Sequence, residues 1–267
     1  CGMFRQAVKW FLVPILILMT SSATFAAAFN PPSIRMFPND PLFANTWLPE
    51  EFYGPFLGPV KSVTIRSGEN FWRVRFSPEG KPLQRDVFLT KLQSNTVIFD
   101  DKGRSLRYIG NSPQGLILTS LHYDETTHTV RTQGGVGTLD SNGRVIRFNN
   151  DRGFILECEY NKAGLLVKKT TIYPSHELTD HFTYDKNGRL IMYTNSGTSS
   201  AIKIPHVITK KQFFYDTQGR LAQYSNDSRV YPVEEEQDEV GNWTKRTIFY
   251  SAVNVTLTYT QEIEYYQ

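Results

Sequence analysis

Through most of this chain apolar and polar residues alternate in short runs, and each run stops at a small polar turn. Phe71-Trp72-Arg73-Val74-Arg75-Phe76 puts Trp72, Val74 and Phe76 on one side and both arginines on the other. Near the C-terminus Val255, Leu257, Tyr259, Ile263 and Tyr265 share one face, and Thr256, Thr258, Thr260, Glu262 and Glu264 share the other. A period of two with one apolar face describes strands buried on one side and solvated on the other, as in antiparallel sheet. After the N-terminal leader nothing carries the period of a long amphipathic helix.

The turns repeat. Phe182-Thr183-Tyr184-Asp185-Lys186-Asn187-Gly188-Arg189-Leu190 returns as Phe213-Phe214-Tyr215-Asp216-Thr217-Gln218-Gly219-Arg220-Leu221. Asp at the first turn position accepts a hydrogen bond from the N–H two residues on, which holds a type I turn. Gly three residues later takes the left-handed conformation and suits a G1 bulge into the returning strand. The same rule fits Ser77 to Gly80, Asp100 to Gly103, Asp140 to Gly143, Asn161 to Gly164 and Asp238 to Gly241. Tyr123-Asp124-Glu125-Thr126-Thr127-His128 reads as a copy without its Gly. Glycines 143, 164 and 188 are spaced by 21 and 24, and 219 to 241 is 22. The expectation is an all-β array of antiparallel hairpins forming one curved or spiral sheet. Its structural turns are Asp100, Gly103, Asp140, Gly143, Gly164, Asp185, Gly188, Asp216, Gly219, Asp238 and Gly241.

These residues resemble the YD repeats of the Rhs family, the hairpin repeats of bacterial Rhs and insecticidal-complex toxin shells. Tyr184-Asp185…Gly188-Arg189-Leu190 and Tyr215-Asp216…Gly219-Arg220-Leu221 match best. Asp238…Gly241-Asn242-Trp243-Thr244 is similar to the Gly-Asn-x-Thr variant, with Gln237 where the family has Tyr. The resemblance runs from about Phe71 to Tyr250 and implies a spiral hairpin sheet; what it carries over is fold. Such sequences belong to systems of interbacterial competition, which implies a neutraliser of an envelope-targeted toxin, an immunity-like role.

The N-terminus reads as an export signal, domain 1–28. Met3 reads as the start and Cys1-Gly2 as a remnant. Arg5 and Lys9 form a basic region, Trp10 to Met19 an apolar core, and cleavage falls near Ala26 or Ala28. The apolar core is short against the ~20 residues of a membrane span. The expected location is therefore periplasmic or secreted, with membrane contact only through the leader. Residues 29–60 form an arm rich in proline and aromatics, with prolines at 31, 32, 38, 41, 49, 55 and 59 beside Phe37, Phe43, Trp47, Phe52, Tyr53 and Phe56. It reads as an extended strap over the first hairpins that covers a sheet edge. Residues 61–267 form the β domain.

Composition narrows function. With 40% hydrophobic and 13% aromatic residues the chain folds rather than staying disordered. Without Arg5 and Lys9 there remain 27 basic and 26 acidic residues, scattered along the chain, so nucleic acid is not an expected partner. Cys158 would be the mature chain's lone cysteine; it alternates with Phe154, Leu156 and Tyr160 and reads as a buried small hydrophobe.

Candidate chemistry is thin. His176-Glu177-Leu178-Thr179-Asp180-His181 spaces its histidines five apart, not the four of a zinc-protease helix, and reads as a loop. His122 and Asp124 lie near serines without a Gly-x-Ser-x-Gly elbow, and Gly134-Gly135-Val136-Gly137 lacks the Lys of a phosphate loop. No catalytic residue, metal site or cofactor is expected. Two departures from the repeat are the partner-binding candidates. About seven extra residues fall between Gly188 and Gly219, where Asn195, Ser196 and Thr198 read as a polar loop. The run Glu234, Glu235 and Glu236 reads as a charge patch for a basic partner, since nothing in the repeat requires it. The resulting expectation is an exported, non-enzymatic binding protein with a protein partner in the envelope. The alternatives are a carbohydrate-binding envelope protein that takes polysaccharide and an envelope hydrolase using the His176/His181 loop.

Overall fold

The computed structural model describes residues 34–36, 55–90, 93–113, 115–199, 206–251 and 253–267. The leader, its cleavage positions and most of the arm lie outside the described residues. Among those described there is no helix. A short ribbon of β1 (Ile34–Met36) and β2 (Pro55–Leu57) precedes nineteen strands. They begin with β3 (Val60–Ser67), β4 (Asn70–Phe76), β5 (Pro82–Thr90), β6 (Gln93–Phe99), β7 (Ser105–Ser112) and β8 (Gly115–Ser120). Shorter strands follow: β9 (His122–Asp124), β10 (Thr129–Thr132), β11 (Gly135–Leu139), β12 (Val145–Asn150) and β13 (Ile155–Tyr160). The remainder are β14 (Leu166–Ile172), β15 (His176–Tyr184), β16 (Leu190–Ser199), β17 (His206–Tyr215), β18 (Leu221–Asn226), β19 (Arg229–Gln237), β20 (Trp243–Tyr250) and β21 (Val255–Tyr265).

Neighbours in sequence are neighbours in space, and β21 returns to pair antiparallel with β3. The result is an up-and-down, nearly closed, barrel-like sheet. One joint differs from the others. β8 and β9 are successive halves of a single run that changes partner at Leu121: β8 is laddered to β7, and β9 to β10. Leu121 is buried, and its N–H donates to the Leu106 carbonyl at 2.9 Å.

Closing the sheet buries one face of most hairpins against the others. Trp72, Val74 and Phe76 point into the core while Arg73 and Arg75 point away. Phe182, Tyr193, Phe213, Tyr224 and Tyr231 join the same cluster, with Phe182–Tyr193 ring centroids 5.5 Å apart and Tyr224–Tyr231 6.0 Å apart. Each fully buried side chain of this size contributes roughly 1.5–3 kcal/mol. Cys158 is buried among them. The outer face carries cross-strand ion pairs instead: Arg147–Glu157 at 2.9 Å, Lys168–Glu159 at 2.9 Å and Lys245–Glu236 at 2.8 Å.

Seven hairpin turns at one rim share one geometry. At Ser77, Asp100, Asp140, Asn161, Asp185, Asp216 and Asp238 the first residue donates its N–H to the carbonyl four residues on, at 2.8–2.9 Å. Its own carbonyl accepts from the Gly three residues on, at 2.9–3.1 Å. Those glycines all have φ between +76° and +96°. Where the Gly is missing, His128 takes the left-handed conformation itself, with φ +50°. Each of the seven then shows a second irregularity further along the returning strand: the ladder shifts register, leaving Leu83, Leu106, Ile146, Val167, Ile191, Ala222 or Thr244 as an extra residue. These bulges add twist beside every turn, which helps so long a meander curve back on itself.

A β-branched side chain resists positive φ, so Gly188→Val and Gly219→Val are each expected to lose about 1–3 kcal/mol. At Gly188 the new Cβ would sit 3.9 Å from Leu165, ordinary contact, so the loss isolates backbone strain. Unchanged urea midpoints for both variants would contradict this.

The described part of the arm is tied to the last turn, not only to the first hairpins. Phe56 is buried, its ring 6.4 Å from that of Phe76. The Leu57 N–H donates to Asn242 Oδ1 at 2.6 Å, and Asn242 Nδ2 donates to the Leu57 carbonyl at 2.8 Å. The Asn242 amide thereby imitates a strand partner for β2.

Candidate functional site

The repeated letters have a shared job at the turn-bearing rim. In the Asp185 turn, Oδ1 accepts the N–H groups of Asn187 and Arg189, and Oδ2 accepts Arg189 Nε at 2.7 Å. Asp100–Arg104, Asp140–Arg144 and Asp216–Arg220 form the same clasp. The clasped arginine then lies over the Tyr of a later hairpin: Arg104 over Tyr123 at 4.1 Å, Arg144 over Tyr160 and Arg189 over Tyr215, both at 4.4 Å. Those tyrosines donate back to the carbonyls of Ser105, Val145 and Leu190 at 3.0–3.1 Å. Tyr, Asp, Gly and Arg therefore stitch one hairpin to the next. At the last turn Asn242 replaces the Arg, and the Tyr265 hydroxyl donates to Asp238 Oδ2 in its stead.

Burial pushes the Tyr215 phenol up to about 12. The unfolded chain would release that proton near pH 10, so the folded state holds a proton the unfolded state has lost. Stability from this group is full below pH 10 and is lost as pH rises towards 12, by at most about 3 kcal/mol. Denaturation midpoints measured from pH 9 to 11.5 should fall more steeply for the wild type than for Tyr215→Phe. Parallel pH profiles would refute this.

Besides the buried Arg85 of β5, two ion pairs lie inside the sheet. Lys169 on β14, Asp180 on β15 and Asn195 on β16 are register partners in one row. Lys169 Nζ is 3.0 Å from Asp180 Oδ2, and Asp180 Oδ1 accepts from Tyr193 Oη and Asn195 Nδ2, both at 2.8 Å. All four residues are buried. The second group is Glu235 with Arg246, register partners on β19 and β20. Arg246 Nε donates to Glu235 Oε2 at 2.7 Å, and the two side chains are only 7% and 4% exposed.

These groups correct where the sequence placed the partner-binding candidates. Asn195, Ser196 and Thr198 are not a loop: they lie in β16, laddered to β15, and the added residues lengthen β16 and β17. Asn195 is buried, because its alternation points it at Asp180. Ser196 and Thr198 are half-buried. Glu235 belongs to the interior pair, whereas Glu234 is exposed and Glu236 pairs with Lys245 across the outer face. His176 and His181 are exposed residues of β15, a strand rather than a loop. His122 and Asp124 lie on β9; Asp124 accepts from the Thr126 hydroxyl and the Thr126 and Thr127 N–H groups, which pull its carboxyl down to about 2. Among the described residues no three His, Cys, Asp or Glu side chains converge as a metal site.

What the sequence reading missed is β8. Leu116, Ile117 and Leu118 are 65%, 50% and 59% exposed, although Leu116 and Leu118 face one way and Ile117 the other. Among the described residues none covers either face of the strand. Its ladder is made with β7, and the ladder on the far side starts only at His122, where β9 meets β10. Soluble proteins ordinarily blunt such a strand with Lys, Pro or a bulge, and Gly115–Ser120 carries none of these. The signal was the run Gly-Leu-Ile-Leu-Thr-Ser, which breaks the apolar–polar alternation of its neighbours. A 330 Å³ cleft between adjacent hairpins, lined by Leu165, Val167, Tyr184 and Asp185 among others, sits instead beside the turn rim.

No family model and no curated protein matches the chain. Among solved structures it is similar to a porin-like protein from Bacteroides uniformis ATCC 8492, at 10% identity and a TM-score of 0.44, over 77% of this chain and 97% of that one. A porin-like protein from Bacteroides vulgatus ATCC 8482 follows at 11% identity and 0.32, over 78% and 98%. The Photorhabdus luminescens Tc holotoxin pore gives 13% and 0.22, over 72% of this chain and 15% of that one. Likenesses at this level define neither family nor function.

Proposed function

We propose that this chain is an exported, non-enzymatic binding protein of the cell envelope that takes a protein partner by strand addition at β8. The observation that supports the reading is the exposure of Leu116, Ile117 and Leu118 on a strand laddered on one side. Such an edge offers main-chain hydrogen bonds for affinity and alternate side chains for selectivity. In this reading the protein works in water. A barrel that spans a bilayer turns an apolar band outward and keeps its lumen polar. Here the apolar cluster is inside, and Arg147–Glu157 and Lys168–Glu159 lie outside. The export step rests on the leader, and the hairpin sheet is assigned to the YD-repeat type on its Tyr–Asp–Gly–Arg stitching. Neutralising an envelope-targeted toxin is the narrower form of the proposal. The test is site-specific photo-crosslinking in the producing cell, with the reactive group at position 118 and, as control, at the outward Thr183. An adduct with another protein from 118 and none from 183 is expected. Equal labelling at the two positions, or none at either, would overturn strand addition at β8.

A further inference from the structure

The charges around β8 say what kind of strand would fill it. The outer face at the upper end of β8 is basic: Arg107 on β7 is aligned with Ser120, and Arg131 on β10 with His122. Both arginines are exposed, and neither is in an ion pair among the described residues. Other outer-face cations do meet acids across the sheet, among them Arg147 with Glu157, Lys168 with Glu159 and Lys245 with Glu236. The lower end, Pro113 to Leu116, carries no charge.

Resting on the strand-addition reading, we propose that β8 accepts an extended peptide segment that begins with acidic residues and continues as about six uncharged, alternately apolar residues. The direction follows from the sheet. Every ladder here is antiparallel, so an added strand runs from the Ser120 end to the Gly115 end. Its first residues continue the line of β10 below Thr132, next to Arg131, and face Arg107 across the small side chain of Ser120. Carboxylates there meet two unpaired guanidinium groups, which steers encounter and fixes register. The following residues meet Ile117 on one face and Leu116 and Leu118 on the other. A second copy of this chain fits worse. Pairing two β8 strands antiparallel would set each arginine pair against the uncharged Pro113–Leu116 end of the other copy.

The test uses the full chain and blocked, fluorescein-tagged octapeptides, read by anisotropy at low salt. One is Asp-Asp-Val-Thr-Val-Thr-Val-Thr; the second replaces both Asp by Lys; the third places the two Asp at the far end. The first should bind at least tenfold more tightly than the second and measurably more tightly than the third. Arg107→Gln with Arg131→Gln should weaken it about fivefold, an effect that disappears in high salt. Amide exchange over Gly115–Ser120 should slow on binding. Since Arg107, Arg131 and Leu118 are exposed, these variants and Leu118→Lys should melt with the wild type. Equal binding of all three peptides, with protection of Gly115–Ser120, would overturn the acidic preference and leave strand addition standing. No binding and no protection would overturn both. A concentration-dependent dimer abolished by Leu118→Lys would overturn the peptide in favour of a second copy.

Discussion

Glu235→Gln is expected to lower stability by about 3 kcal/mol, while Glu234→Gln and Glu236→Gln each change it by less than ~0.5 kcal/mol. Three identical neighbours differ because strand β19 alternates. Tyr231 and Val233 point into the core, and Glu235 continues their face; Glu234 and Glu236 point to solvent. Inside, the Glu235 carboxylate accepts Arg246 Nε at 2.7 Å, Gln237 Nε2 at 2.8 Å and the Leu221 N–H at 3.3 Å. Arg246 in turn lies over the Trp243 ring at 4.6 Å. An amide in place of the carboxylate leaves a buried guanidinium facing a neutral group, and that desolvated charge dominates the loss. Outside, Glu236 and Lys245 are 66% and 44% exposed, where screening reduces an ion pair to little. For a domain of this size 3 kcal/mol corresponds to roughly 6–12 °C in Tm. Thermal melts that shift equally for all three variants would show that Glu235 has no special place.

The same contrast explains what could be read from the letters. Turns are local: an Asp or Asn, a Gly three residues on and a strand either side determine their own hydrogen bonds, so the turns at Asp185 and Asp216 stand where the repeat puts them. Asn150-Asp151-Arg152-Gly153 obeys the same rule and forms the same turn at the opposite rim, out of step with the 21–24-residue spacing of the others. Bulges at Leu83 through Thr244 depend on cross-strand register and leave no mark in a single strand. Closure depends on pairing β21 with β3, residues about 200 apart in the chain, such as Thr260 with Arg66. The polar stretch Asn195 to Thr198 misled for a different reason. Small polar residues usually mark loops, yet here the sheet interior holds a charged row that Asn195 completes. For β8 the apolar run was visible, but its exposure follows from where β10 ends.

The charged row in the interior also gives the other large effect. Asp180→Ala is expected to cost about 3–5 kcal/mol, because Lys169 Nζ at 3.0 Å loses its buried carboxylate and the Tyr193 and Asn195 donors lose their shared acceptor. Desolvating two charges is expensive in itself, so the intact pair need not stabilise the fold relative to an apolar one. That distinction is measurable. Lys169→Met combined with Asp180→Leu keeps volume and removes both charges, and should recover most of what Asp180→Ala loses, short of whatever the Tyr193 hydroxyl costs when left unmet. Adding Tyr193→Phe removes that hydroxyl and should bring stability closer still to the wild type. Urea titrations of the single, double and triple variants provide the comparison. A double variant as unstable as Asp180→Ala would mean that the row specifies the packing of β14, β15 and β16 directly, and that the buried charge is not what makes the single substitution costly.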